Sequence, residues 1–236
     1  MISKYLSYAV RLGYIPYNPC HSIPAYQNKE EFLKEPQLKF WEVSEFKIFI
    51  AAVDDQQWHD IFMFLFFTGL REAEMFALQW KDIDFQNCTI TIKKSITYKT
   101  MGAPWKLTTP KNKNSIRTID LQDTLLGPLL KRLEQEKRKD GFTLDYFVFG
   151  DIRPVSRSDL ARKMDHYIQL SGVSRITPHG LRHSHASFLI KNKIDDSLIA
   201  ERLGHTVSEL RKTYAHVYAS TRQDMKKLLD DTCTIE

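Results

Sequence analysis

A chain of 236 residues is long enough to bury one large core, or a main domain with a fragment attached. Hydrophobic residues at 42%, aromatics at 12%, exclude a disordered chain, while a net charge of +5 is too modest to favour an anionic partner by itself. Cys20, Cys88 and Cys233 are odd in number and widely spaced, which excludes a disulfide framework and a CxxC metal site, and no apolar run approaches membrane-spanning length, so the expectation is a cytoplasmic protein with no membrane partner.

Ile2, Tyr5, Leu6, Ala9 and Val10 recur at helical spacing, predicting a helix over residues 1–12 that Gly13 ends. One such helix cannot form a domain. The following GYIPYNPCHSIP, with Pro16, Pro19 and Pro24, reads as a linker. A main domain begins at Phe40. Residues 42–53 predict a helix with Phe46, Phe49 and Ile50 inward, and IFMFLFF at 61–67 is apolar all round, hence a central buried helix. Thr68-Gly69-Leu70 breaks it, and a new helix starts at Arg71.

Residues 83–92 read as a hairpin about Gln86-Asn87, with Ile90 and Ile92 facing one way. Strands continue to Leu121 around Pro104 and Pro110, with a turn at 111–114. Residues 125–139 predict an amphipathic helix with Leu125, Leu126, Leu129, Leu130 and Leu133 inside. Residues 147–149 form a short buried segment, and 156–170 another helix before Gly172. The pattern predicts an α+β, mainly α-helical fold with one small antiparallel β-sheet.

The densest stretch runs from Thr177 to Tyr214. Thr177 and Pro178 are a helix-start pair, and His179 and Arg182, three apart, share one face at the electropositive helix end. Asp195 and Asp196 open a second helix that Gly204 closes, with His205 on the exit turn. Ser208 is the candidate cap of a third helix carrying Tyr214. Side chains at such helix ends converge readily on a shared anion, which suggests phosphate chemistry. Each residue also has a plainer reading as packing or surface. Tyr218, one turn beyond Tyr214, is a rival phenol. His179, His183 and His185 lack the Glu of HExxH and an evident third ligand, so no metal is expected and His183 and His185 read as packing residues.

Arg71, after a buried helix and a Thr-Gly break, is a guanidinium beside an apolar wall and needs an anion, or simply pairs with Glu74 or Asp82. Lys111 stands on a Pro-Lys-Asn-Lys-Asn turn, with Lys113 two positions on, and the plain reading is a solvated turn lysine. Lys113, Arg117, Arg153, Arg157 and Lys163 are candidate phosphate-backbone contacts, or solvated surface charges.

Taken together, Thr68-Gly69-Leu70-Arg71 with Glu74, the run Pro110 to Leu121 around Lys111, His179-Gly180-Leu181-Arg182-His183, Leu203-Gly204-His205, and Tyr214 followed by His216 resemble the tyrosine recombinase (phage integrase) family. The resemblance spans roughly residues 40–230. It implies Tyr214 as nucleophile forming a 3′-phosphotyrosine link, Arg71 and Arg182 gripping the phosphate, and His179 as proton acceptor. It further implies His205 as a hydrogen-bond donor to the phosphate, Lys111 as general acid with Lys113 a second candidate, and Glu74 in support of Arg71. Such chemistry suits the residues. A phenol of pKa about 10 needs a base, and arginines that stabilise a phosphoryl-transfer transition state are worth roughly 10³–10⁵ in rate. The link conserves energy, so no cofactor is implied.

The resemblance also implies double-stranded DNA as partner, other protomers in a tetramer on DNA, and a possible accessory excisionase. Gly13-Tyr14-Ile15 and Asn18-Pro19 resemble the end of the family's core-binding domain. Residues 1–39 then read as the remnant of that SAM-like domain plus linker, and 40–236 as a catalytic domain with a C-terminal tail helix that docks on a neighbour. A type IB topoisomerase and a DNA-binding regulator without cleavage are the alternatives.

Overall fold

The computed structural model describes residues 2–22, 39–98, 104–110 and 115–232, with the backbone alone at 220–224 and 227–228. The chain divides into two compact units, Met1–Gln37 and Leu38–Glu236. In the first, helix α1 (Ile2–Arg11) ends before Gly13, whose φ of +76° is the left-handed turn that the sequence required there. The linker expected next is partly ordered. Asn18 caps a 3₁₀ turn (Pro19–His21) through Cys20 N, and its amide donates to Ser3 O and Ser7 Oγ, folding the turn back onto α1. Most of the remaining linker lies outside the described residues.

The second unit is mainly helical with a small antiparallel sheet, as expected, and has in addition a separate two-stranded ladder. Helix α2 (Val43–Ala51) buries Phe46 and Phe49, with Ile50 partly covered. Helix α3 (Gln56–Thr68) starts where the Asp55 carboxylate accepts from Gln57 N and Trp58 N. Ile61, Phe62, Phe64, Leu65 and Phe66 are all buried, so α3 is the central rod that the all-round apolar run predicted. Gly69, φ +65°, ends it. Short α4 (Glu72–Phe76) follows, with Arg71 at its N-cap.

Strands β1 (Ile83–Asp84), β2 (Thr89–Ile92) and β5 (Arg117–Asp120) form one sheet in the order β1-β2-β5. Ile90 pairs with Ile119, and Ile92 with Arg117. Strands β3 (Ser95–Thr97) and β4 (Lys106–Thr108) make a separate two-stranded ladder, so the strands on either side of the 111–114 turn join different sheets. The turn itself, with Lys111 and Lys113, lies outside the described residues.

Helix α5 (Asp123–Glu136) buries Leu125, Leu126, Leu129 and Leu133, but Leu130 is 44% exposed, contrary to expectation, because it falls just off that stripe. Phe147, Val148 and Phe149 are buried, with Phe147 bridging to Gln79. Helix α6 (Arg157–Ser171) is capped by Ser156 and closed by Gly172. Helices α7 (Pro178–Lys191), α8 (Asp196–Leu203), α9 (Val207–Thr213) and α10 (Ala215–Thr232) complete the chain. Two local expectations change here. Thr177 has N-cap geometry but makes no side-chain cap bond. The cap of α9 is Thr206, in a reciprocal box with Glu209, rather than Ser208; that box satisfies two backbone donors at once. Among the described residues no helix is long and apolar enough to cross a membrane.

Candidate active site

Arg71 extends from the N-cap of α4. Its Nη1 donates to Glu74 Oε1 at 2.8 Å, and its backbone N–H donates to Glu74 Oε2 at 3.0 Å. Of the two carboxylates open from sequence, Glu74 is the partner, while Asp82 is engaged by Lys93 and Lys94. Glu74 is shared. Arg117 on β5 donates to it from Nη2 at 2.9 Å and from Nη1 at 3.3 Å. Burial alone would raise the Glu74 pKa, but the hydrogen bond and charge of Arg117, then Arg71 and Arg182, lower it to about 2. The Arg71 side chain remains 33% exposed, so part of its guanidinium is open to an incoming anion.

Arg182, on the first turns of α7, is 1% exposed. It donates from Nη1 to Gly69 O at 2.8 Å and from Nη2 to Leu203 O at 2.6 Å, both carbonyls at helix C-termini, where the dipole is negative. The same Nη2 lies 2.9 Å from His205 Nε2. A guanidinium has no lone pair, so His205 Nε2 must accept and the ring proton sits on Nδ1. Nδ1 is buried with no partner among the described residues, a donor left for an acceptor such as a phosphate oxygen. Burial, then Arg182 and Arg71, lower the His205 pKa to about 4, keeping the ring neutral. Arg182 itself falls to about 9, from burial and then from repulsion by Arg71. Three guanidiniums, Arg71, Arg117 and Arg182, act on the single carboxylate of Glu74, an excess of positive charge that favours an anion.

His179 is exposed at the mouth of this group, its pKa lowered by partial desolvation and by the charges of Arg182 and Arg71. Tyr214, at the C-cap of α9, is 0% exposed and belongs to a small core with Ala186, Ile190, Leu203, Leu210 and Val217. Burial raises its pKa to about 12, against the lowering fields of Arg182 and Arg71. Its hydroxyl lies 2.9 Å from His183 Nδ1. The rival phenol, Tyr218, instead donates to Asp196 Oδ1 at 2.5 Å.

The structure thus brings Arg71, Glu74, His179, Arg182, His205 and Tyr214 together. Lys111 and Lys113 lie outside the described residues. Arg117 is corrected: expected at a phosphate backbone, it is 7% exposed, bound to Glu74 and, through Nε, to Arg202 O at 2.7 Å. Arg153 is exposed, Arg157 Nε meets Glu72 at 2.6 Å, and Lys163 stands 3.7 Å from Asp55 and over the Trp58 ring. Sequence reasoning missed two residues. His183 touches the phenol, although its four-residue step from His179 already put it on that helix face. Arg202 is a half-buried clamp, donating to His185 Nε2, Asp120 O and Phe67 O, and nothing in its local sequence marked it.

The sequence profile of the phage integrase family matches residues 41–221. The chain belongs to that family. It is similar to the ICEBs1 integrase of Bacillus subtilis (strain 168), 35% identical over 240 residues, covering 98% of this chain and 63% of that protein. It is also similar to a XerC-like tyrosine recombinase of Caldanaerobacter subterraneus subsp. tengcongensis, 26% identical, covering 98% of this chain and 64% of that one. The chain therefore spans a little under two thirds of these relatives. Among solved structures, the Tn1549 transposon integrase in complex with a circular intermediate DNA shares the fold at a TM-score of 0.73 and 21% identity, over 96% of this chain and 76% of that one.

Proposed function

We propose that this chain is the catalytic part of a site-specific recombinase that cuts and rejoins double-stranded DNA, one strand at a time, during integration and excision of a mobile element. The observation that carries this reading is geometric: Arg182 Nη2 lies 2.9 Å from His205 Nε2, the Tyr214 hydroxyl lies 2.9 Å from a histidine on the Arg182 helix, and Arg71, held by Glu74, keeps part of its side chain open. Tyr214 attacks the scissile phosphate and forms the 3′-phosphotyrosine link. Arg71 and Arg182 hold the non-bridging oxygens, where charge develops in the transition state, and His205 adds a donor. Glu74 fixes the Arg71 fork. Lys111, six residues before Arg117 in the sequence, supplies a proton to the departing 5′ oxygen, the role that family likeness gives it.

Arg153, Arg157, Lys163 and Lys113 neutralise backbone phosphates, residues 1–39 are the end of a core-binding domain with its linker, and the working form is a tetramer on DNA, with an excisionase as possible accessory. The relatives' names and the DNA complex of a structural neighbour support DNA as partner, and a cytoplasmic site follows from it. One observation favours a DNA-binding regulator that does not cleave: Tyr214 is fully covered. A nicked suicide substrate separates the two. The recombinase reading expects a covalent protein–DNA adduct with wild type and none with Tyr214→Phe; absence of an adduct from wild type favours the rival, and an adduct that survives the substitution excludes Tyr214 as the nucleophile.

A further inference from the structure

We infer that His183 is a second catalytic imidazole, the group that receives the Tyr214 proton as the phenol attacks. The inference rests on the recombinase reading above and deepens it. Likeness to the family gives that role to His179, but the hydrogen bond to the phenol, 2.9 Å from Nδ1 to Oη, is made by His183. His179 is exposed at the mouth of the site, whereas His183 is half-buried one helical turn deeper, its ring edge-on to that of His179 at 4.6 Å and tilted against Tyr214 at 5.7 Å. Helix α7 therefore offers two imidazoles, one toward the approaching phosphate and one already on the nucleophile.

The charges facing His183 come from three places: His179 and Arg182 on its own helix, His205 on the turn after α8, and His216 on α10. Burial first, and then these groups, lower its pKa to about 4, so near neutral pH it is an unprotonated ring with a lone pair to give. In the step, the bond from Tyr214 Oη to phosphorus forms and the bond from phosphorus to the 5′ oxygen breaks. The phenolic proton moves to His183 Nδ1, and the departing oxygen takes a proton from the lysine acid. On rejoining, the 5′ hydroxyl attacks and gives its proton back to the lysine, the bond from phosphorus to Tyr214 Oη breaks, and His183 returns the proton to the departing phenolate. The phosphate's negative charge, next to the imidazolium, offsets the cationic surroundings that oppose its formation in the free protein. The role demands one tautomer, with hydrogen on Nε2 and Nδ1 free to accept.

Two measurements test this on the full 236-residue chain. Side-chain nitrogen NMR of labelled histidine in the free protein should find the His183 proton on Nε2; a proton on Nδ1 would mean that the ring donates to the phenol, and the inference fails. The rate of adduct formation on a suicide substrate should then be followed from about pH 6 to 9.5 for wild type, His183→Asn and His183→Ala. Asn reproduces the Nδ1 contact without accepting a proton, so both variants should lose roughly 10²–10⁴ in rate at neutral pH. They should recover about tenfold per pH unit, as hydroxide takes over, and a fluorinated tyrosine at position 214, a more acidic phenol, should rescue them in part. DNA retention in a gel and the melting profile should match wild type. If His183→Asn cleaves within threefold of wild type, or if both variants are slow with a pH profile parallel to wild type, His183 only packs against the phenol and the inference is overturned. Absence of an adduct with wild type, or its persistence in Tyr214→Phe, removes the recombinase reading itself, an outcome distinct from both.

Discussion

Glu74 is a single buried carboxylate with four donor contacts from two arginines, and its state governs both. Replacing it in Glu74→Gln leaves Arg117 buried without a counter-charge, and the expected loss is about 3–5 kcal/mol in urea unfolding. Because its folded pKa lies below the ordinary 4.5, its contribution is complete above pH 4.5 and is lost as pH falls toward about 2. The stability gap between wild type and variant should therefore close over that acid interval, and a gap constant from pH 5 to pH 2 would refute the assignment. At this scale much of the site was legible. Arg71, His179, Arg182 and His205 sit at helix ends that Gly and Pro punctuation marks plainly. The inward turn of Arg117 could have been read from its strand: it shares the period-two face of Ile119, and that face is buried. The partner of the phenol was less legible, since it depends on how α9 folds back over α7, which no local pattern encodes.

At the level of elements, the joint after α3 sets the site. Gly69 holds φ +65°, its carbonyl takes Arg182, and a Cβ built on it would stand 2.4 Å from the His185 ring. Gly69→Ala should cost roughly 2–4 kcal/mol, about 1–2 for the left-handed backbone and the rest for overpacking. Thermal unfolding measures this, and a change under 0.5 kcal/mol would mean that the joint is more pliable than drawn. The order and type of helices were readable from apolar spacing, and α3 above all, since an all-round apolar run has only one place to go. Splitting of the strands into two sheets was not readable. The same alternation serves either pairing, and only tertiary contact sends β5 to β2 rather than to β4.

For the molecule as a whole, three histidines are held unprotonated inside the second unit: His183 and His205 with pKa values of about 4, and His185 of about 3, burial being the first cause in each case. An unfolded histidine titrates near 6.5, so unfolding below that pH takes up protons that the folded state refuses. Stability is expected to be full above pH 6.5 and to fall from there toward pH 4, with a limiting slope of roughly 4 kcal/mol per pH unit when all three contribute. Urea midpoints across this interval should drop steeply, whereas a flat profile would show that the rings protonate in place. On the proposed reading, a DNA phosphate should blunt the drop by placing an anion beside Arg71, Arg182 and His205.

The carboxylate common to Arg71 and Arg117 has a mechanical corollary. Arg117 opens β5 six positions after Lys111, so the acid we propose is tied by a short stretch of chain to the carboxylate that holds Arg71. In the proposed reaction, attack and departure on the two sides of one phosphorus would then be geared through a shared pivot, and disturbing either side would put the other out of step.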